Sequence, residues 1–302
     1  MGLIALPQAT PVAYVESRQQ PGGGFAEPGG SASPQLTAWA VLGLQAARAQ
    51  PRPGTLQYLQ AHDEGLAAAT DLELATMAES VLGGDVSKLV VRIQRLRRPS
   101  GAIGPNVNST AWGILALRQA GKPAPRLSVR YLLRHQSRSG GWSWYPRGQP
   151  DSNDTAATVE ALRAVGVRGR PILRALGYLR RMQNRDGGFE LTPGRGSDAQ
   201  STAWAIQAFA AAHKPVPRGS FAYLRGLRRP DGSFRYSRRY TTTPVWVTSQ
   251  VLAALSRRAF PLKASLAMPS SGRAGFARSP VWNDRSTRWP HRSGSRTHFV
   301  WS

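Results

Sequence analysis

Four carboxylates stand where they could do acid–base chemistry: Asp151, Asp154 and Glu160 in the run DSNDTAATVE, and Asp198 in SDAQSTAWAIQ. General acid catalysis needs a carboxyl whose proton is available in an apolar setting. Asp151, Asp154 and Asp198 also fall just before, or in the first turn of, predicted helices. There a carboxylate caps free N–H groups and meets the helix dipole, worth about 1 kcal/mol. Capping is the plainer reading, and Asp151 could serve both purposes. A glycosidase pair, with Asp151 or Glu160 opposed to Asp198, has no motif behind it.

Amides and aromatics accompany these acids in register. When the Thr-Ala columns are superposed, Gln35, Asn108, Asn153 and Gln200 share one column, and Ser33, Asn106, Asp151 and Asp198 stand two residues before it. The helical face i, i+4, i+7 then reads Gln35, Trp39, Leu42; Asn108, Trp112, Leu115; Asn153, Ala157, Glu160; and Gln200, Trp204, Gln207. If that face lines an axis, Trp39, Trp112 and Trp204 form an aromatic layer beneath a ring of amides, with Glu160 the lone acid among them. Aromatic faces stabilise carbocations and bind flat apolar ligands. The competing expectation is that these tryptophans fill space between helices.

The elements that must position this face come from a repeat. The spacing Y-L-x-x-x-Q-x-x-x-G-x-[FW] occurs at Tyr178, Gln183, Gly187, Phe189 and at Tyr131, Gln136, Gly140, Trp142, and returns with Val for Leu at Tyr14, Gln19, Gly23, Phe25. Weaker copies carry Tyr58-Leu59, Arg97 with Gly101 and Ile103, and Arg228 with Gly232 and Phe234. Six units result, each a helix, a Gly-containing turn closed by an apolar plug, and a second helix. The first helix of a unit is amphipathic, as in Ile172, Leu173, Leu176 and Leu179 set against Arg174, Arg180 and Arg181. The second is apolar all round, as in Ala203 to Ala210, and is therefore buried on most sides. Six outer and six inner helices predict an all-α, (α/α)6 toroid over residues 7–263, with an open solenoid as the alternative. Residues 264–302, rich in Arg, Ser and Pro, are expected to be a disordered basic tail or non-native sequence.

Composition narrows the chemistry. The 302 residues contain no cysteine, which removes thiolate nucleophiles and Cys-ligated zinc. The five histidines, His62, His135, His213, His291 and His298, show no metal-ligand spacing, so no metal is expected. A formal charge of +24, its positive side almost all arginine, would attract an anionic membrane surface, an acidic polymer or a diphosphate-bearing ligand, but no specific nucleic-acid signature accompanies it. As written, the chain shows neither a signal peptide nor a membrane span; a truncated start would leave export open.

The Q-x-x-x-G-x-[FW] units resemble those of the prenyltransferase and squalene cyclase (QW-type) repeat family, over about residues 11–262. The resemblance implies a terpenoid cyclase-like αα-toroid with a central cavity. Asp151-Ser152-Asn153-Asp154-Thr155-Ala156 looks like the D-x-D-D-T-A motif of class II cyclases, whose middle Asp protonates the isoprenoid. Here that position is Asn153, an amide with no acidic proton. The prenyltransferase zinc site does not carry over without Cys, and no cofactor is expected. The reading is a non-catalytic binder of an apolar or isoprenoid ligand, or of a partner's segment, through Gln35, Trp39, Asn108, Trp112, Asn153, Gln200, Trp204 and Gln207. The alternatives are a terpenoid cyclase using Asp151, Asp154 or Glu160 as a non-standard acid, and a structural scaffold with a plugged axis.

Overall fold

A computed structural model describes residues 9–262. The outer helices are α1 (Pro11–Glu16), α3 (Thr55–Ala61), α5 (Ser87–Arg95), α7 (Arg126–Arg134), α9 (Arg170–Arg181) and α11 (Ser220–Gly226). They alternate with inner helices α2 (Pro34–Ala46), α4 (Ala69–Val81), α6 (Val107–Gln119), α8 (Ser152–Ala164), α10 (Ala199–Ala211) and α12 (Pro244–Leu255). Each inner helix packs on the next, and α12 returns to pack on α2. The described chain is thus an all-α closed ring, not an open solenoid. At the closure, a Cβ on Gly43 would lie 2.4 Å from the Ser249 carbonyl, so the two helices meet backbone to backbone. The expected tail at 264–302 lies outside the described residues.

Burial follows the sequence pattern. In α9 the side chains of Ile172, Ala175, Leu176 and Leu179 are buried, while α10 is buried along almost its whole length. The turn between outer and inner helix is built the same way in most units. Gly23, Gly101, Gly140, Gly187 and Gly232 adopt positive φ, and the plugs Phe25, Ile103, Trp142, Phe189 and Phe234 are wholly or almost wholly buried. Gly187 has a second reason to be glycine: a Cβ there would stand 2.7 Å from the Gly219 backbone.

Two side chains of the repeat fasten this turn. Gln183 donates from Nε2 to the carbonyls of Gly187 (3.0 Å) and Arg218 (2.7 Å), and Gln136 does the same to Gly140 and Pro171 (both 2.8 Å). The glutamine therefore ties its own turn to the start of the next outer helix. In the sixth unit Arg228 reaches the Ala9 carbonyl instead and ties the last unit to the first (2.8 Å). The inner-helix threonine holds the plug: Thr37, Thr110, Thr155, Thr202 and Thr248 accept the N–H of Phe25, Ile103, Trp142, Phe189 and Phe234 at 2.9–3.1 Å. In the fifth unit the turn extends into a short antiparallel pair, β1 (Phe189–Glu190) with β2 (Ser197–Asp198).

Candidate functional site

Residues in the first turns of four inner helices converge on one cavity: Thr70 of α4, Asn108 of α6, Asn153 and Asp154 of α8, and Gln200 of α10. These helices therefore begin at the same end of the ring, and the cavity lies at that end of its axis. Its volume is about 370 Å³. Trp39, Trp112 and Trp204 contribute the side chains next down the same faces, while Trp144 and Leu191 enter from the loops before α8 and α10.

The three tryptophans form a closed layer. Their rings meet edge to face in all three pairings, with centroids 5.4, 5.5 and 5.9 Å apart. This geometry sets positive ring edges on negative faces, worth about 0.5–1.5 kcal/mol per pair beyond the area buried. Phe260, from the segment after α12, packs against all three at 6.1–6.4 Å. Trp204 is further fixed by donating from Nε1 to Gln250 Oε1 (3.0 Å). The tryptophans thus pack against one another and still present a face to the cavity; the space-filling and cavity-lining readings both describe them.

Above this floor the wall is polar. Asp151 caps α8, its Oδ1 accepting the N–H of Asp154 (2.8 Å), as Ser33, Asn106 and Asp198 cap α2, α6 and α10. Asp154 is 3 % exposed, and its Oδ1 accepts from Asn108 Nδ2 at 2.6 Å, joining α8 to α6. Burial, reinforced by the neighbouring Asp151, pushes the Asp154 carboxyl up to about 9. Burial also raises Asp151, against the opposing hydrogen bonds from Asp154. The two groups titrate as a pair, and the fold favours a shared proton over two charges. No described residue lining the cavity is basic.

Three expected positions lie elsewhere. Gln35 is exposed and does not line the cavity. Glu160 and Gln207 are buried, yet neither lines it. Glu160 instead accepts the backbone N–H of Phe260 through Oε2 (2.6 Å), and its burial raises the carboxyl well above the ordinary range. The physical reason is height: Glu160 stands one turn below Ala157, and Gln207 one turn below Trp204, beyond the aromatic layer. Asp198 faces a separate polar cleft beside Arg195, Arg238 and Tyr236.

Trp144, Thr70, Leu74, Leu191 and Phe260 were not anticipated. A second tryptophan two residues past the plug, at Trp144, was the one available signal. Leu74 and Leu191 look like any core leucine, and Phe260 reaches the axis only because the chain turns back after α12.

No family model matches the sequence, and no curated protein matches it. Among solved structures, a protein from Actinoplanes is similar with a TM-score of 0.64 at 19% identity, over 82% of this chain and 97% of the other. The type II terpene cyclase MstE from Scytonema gives 0.62 at 15% identity over 82% and 96%. Candida albicans protein geranylgeranyltransferase-I gives 0.59 at 12% identity over 74% and 83%. At these identities the likeness speaks for architecture alone: the chain has the terpenoid cyclase-like αα-toroid fold.

Proposed function

We propose that this protein binds an isoprenoid or other apolar ligand in its axial cavity and does not cyclise it. The observation that carries the reading is a tryptophan floor under a wall of uncharged or proton-sharing polar groups, Asn108, Asn153, Gln200 and the Asp151–Asp154 pair. An apolar chain would lie on the aromatic faces, and a hydroxyl or carbonyl on it would find donors and acceptors above. At roughly 30 Å³ per water-sized unit, the space takes about a dozen non-hydrogen atoms. Two of the similar structures hold larger isoprenoid ligands: a variant of the Scytonema cyclase contains geranylgeranyl dihydroxybenzoate, and the Candida enzyme contains GGPP.

Geraniol, whose about eleven non-hydrogen atoms match that space, tests this directly when followed by the fluorescence of the cavity tryptophans. Asn153→Trp, which fills the cavity from a half-buried position, should weaken binding at least tenfold and leave thermal stability within a few degrees of the parent. Unchanged affinity in that variant would remove the axial cavity as the binding site.

One observation favours a second reading, a cyclase that draws its proton from Asp154 or Asp151: a protonated carboxyl does stand on the cavity wall. Against it, an acid raised to about 9 releases its proton reluctantly, whereas protonating an alkene demands a strong acid. Product formation from squalene or geranylgeranyl diphosphate that vanished in Asp154→Asn, with geraniol binding retained, would favour the cyclase over the binder.

A further inference from the structure

Charge is divided unevenly around the ring. Residues 9–85 carry three arginines and eight carboxylates, whereas residues 86–185 carry nineteen arginine and lysine side chains and only three carboxylates, Asp151, Asp154 and Glu160. Those three line the axial cavity or lie buried beneath it, so none stands on the outside of the ring. A general preference for arginine would spread it evenly over the units. Here the first two units are formally acidic, and the outer surface of the third to fifth has cations with no carboxylate between them. Among the described residues the one ion pair is Arg238 with Asp186, at 3.9 Å, outside this stretch.

The cations are most regular on α7. Arg126, Arg130 and Arg134 recur every four residues along it, Arg138 follows in the turn beyond, and all four are exposed. Four residues of helix rise about 6 Å, so the guanidinium groups form a ladder on one side. Like charges at this spacing repel one another along a helix, so local stability does not account for them. Arg134 is steadied by donating to the Ser100 carbonyl (2.9 Å). From α9, Arg174 and Arg181 donate to the carbonyls of Arg138 (2.9 Å) and Ser139 (2.6 Å), which fixes the turn at the end of the ladder and sets the cations of α9 beside it. None of these arginines lines the axial cavity. Leu127 and Leu133, also exposed, stand about 120° apart around α7 and flank the ladder on opposite sides, so they form no continuous apolar strip for a lipid surface.

We propose that this outer face, centred on the α7 ladder, binds the phosphate backbone of a double-stranded nucleic acid without reading its sequence. A guanidinium matches phosphate oxygens with paired N–H donors. A duplex carries one negative charge per about 1.7 Å of its axis, so every rung meets a phosphate without a matched register. An acidic protein segment would need its carboxylates spaced to fit the rungs. Contacts to phosphates position a duplex and carry no sequence information.

The test is fluorescence anisotropy of a labelled duplex of about 20 base pairs, titrated with the full chain at salt concentrations from about 50 to 200 mM. Binding that weakens steeply with salt, and equally for two duplexes of unrelated sequence, is the expected result. Arg126→Gln, Arg130→Gln and Arg138→Gln together should weaken it at least tenfold at the lowest salt and reduce the slope of log affinity against log salt by about 2.7, or about 0.9 per lost contact. A control triple of equal charge, Arg218→Gln, Arg225→Gln and Arg239→Gln, should lower affinity less than about threefold and leave the slope unchanged. Both triples should keep the thermal midpoint of the parent, since all six side chains are exposed. Equal loss in the two triples would mean that net charge alone binds and would overturn the proposal, as would an absence of binding at the lowest salt. Association with phosphatidylserine vesicles that the ladder triple abolishes, without duplex binding, would overturn it in favour of a lipid surface.

Discussion

Trp112→Ala is expected to destabilise the fold by about 3–5 kcal/mol, the range for deleting a large buried aromatic. Trp112 is 7 % exposed, meets Trp39 and Trp204 at 5.5 and 5.4 Å, and meets Phe260 at 6.3 Å. Alanine removes two edge-to-face pairs and one of the three tryptophans packed on Phe260, and the neighbours are held by separate helices that cannot all move inward. Trp112→Phe keeps a ring in place and should cost less than half as much. Urea unfolding followed by far-ultraviolet circular dichroism measures both. A cost below about 1 kcal/mol for alanine would mean that the tryptophans do not act as a packed layer.

The second large effect is a fall of stability with rising pH. Glu73 on α4 is wholly buried, neither carboxyl oxygen has a hydrogen-bond partner, and burial raises it well above 4.5. Burial also raises Glu79, to about 9, with the charge of the neighbouring Asp63 adding to the effect. A carboxyl whose folded-state value is raised binds more protons in the native than in the unfolded state. Its stabilising share is present in full below the unfolded value, near 4.5, and is lost as pH rises toward the folded one. Each such acid contributes a slope of up to about 1.4 kcal/mol per pH unit in that window. Urea unfolding at pH 5, 6, 7 and 8 should show the decline. Glu73→Gln, which keeps the shape and has no proton to lose, should flatten it and be more stable than the parent at pH 8. A parent whose stability does not change from pH 5 to 8 would contradict protonated burial of Glu73.

The architecture was legible because the repeat writes the same physics several times. Gly187 and its equivalents need positive φ, the following plug must be apolar, and the alternation of amphipathic with wholly apolar helices separates outer from inner. The degenerate second unit is readable only from its neighbours: α3 and α4 lack the Gly-Gly turn yet fill the same place in the ring. Threonine's role was hidden in the Thr-Ala column, since a hydroxyl that holds the plug's N–H seven to fourteen residues away leaves no local pattern.

For the cavity, periodicity supplies an azimuth but not a height. It set Asn108, Asn153 and Gln200 on one face with the tryptophans, and all of these line the cavity. It set Glu160 and Gln207 on that same face, where the aromatic layer separates them from the space above. Gln35 shares the column, but the end of α2 where it stands is open to solvent. Trp144, Leu191 and Phe260 come from loops, and a loop's destination depends on the whole ring.

The most direct test of an occupied axial cavity is mass spectrometry of the organic extract from the purified protein, compared with an unrelated protein purified in parallel. Specific retention of an isoprenoid or other apolar compound, lost in Asn153→Trp, is the predicted result. An extract that stays empty after soaking with polyprenoid mixtures would contradict the binding function and leave the ring as a scaffold closed by its own tryptophans.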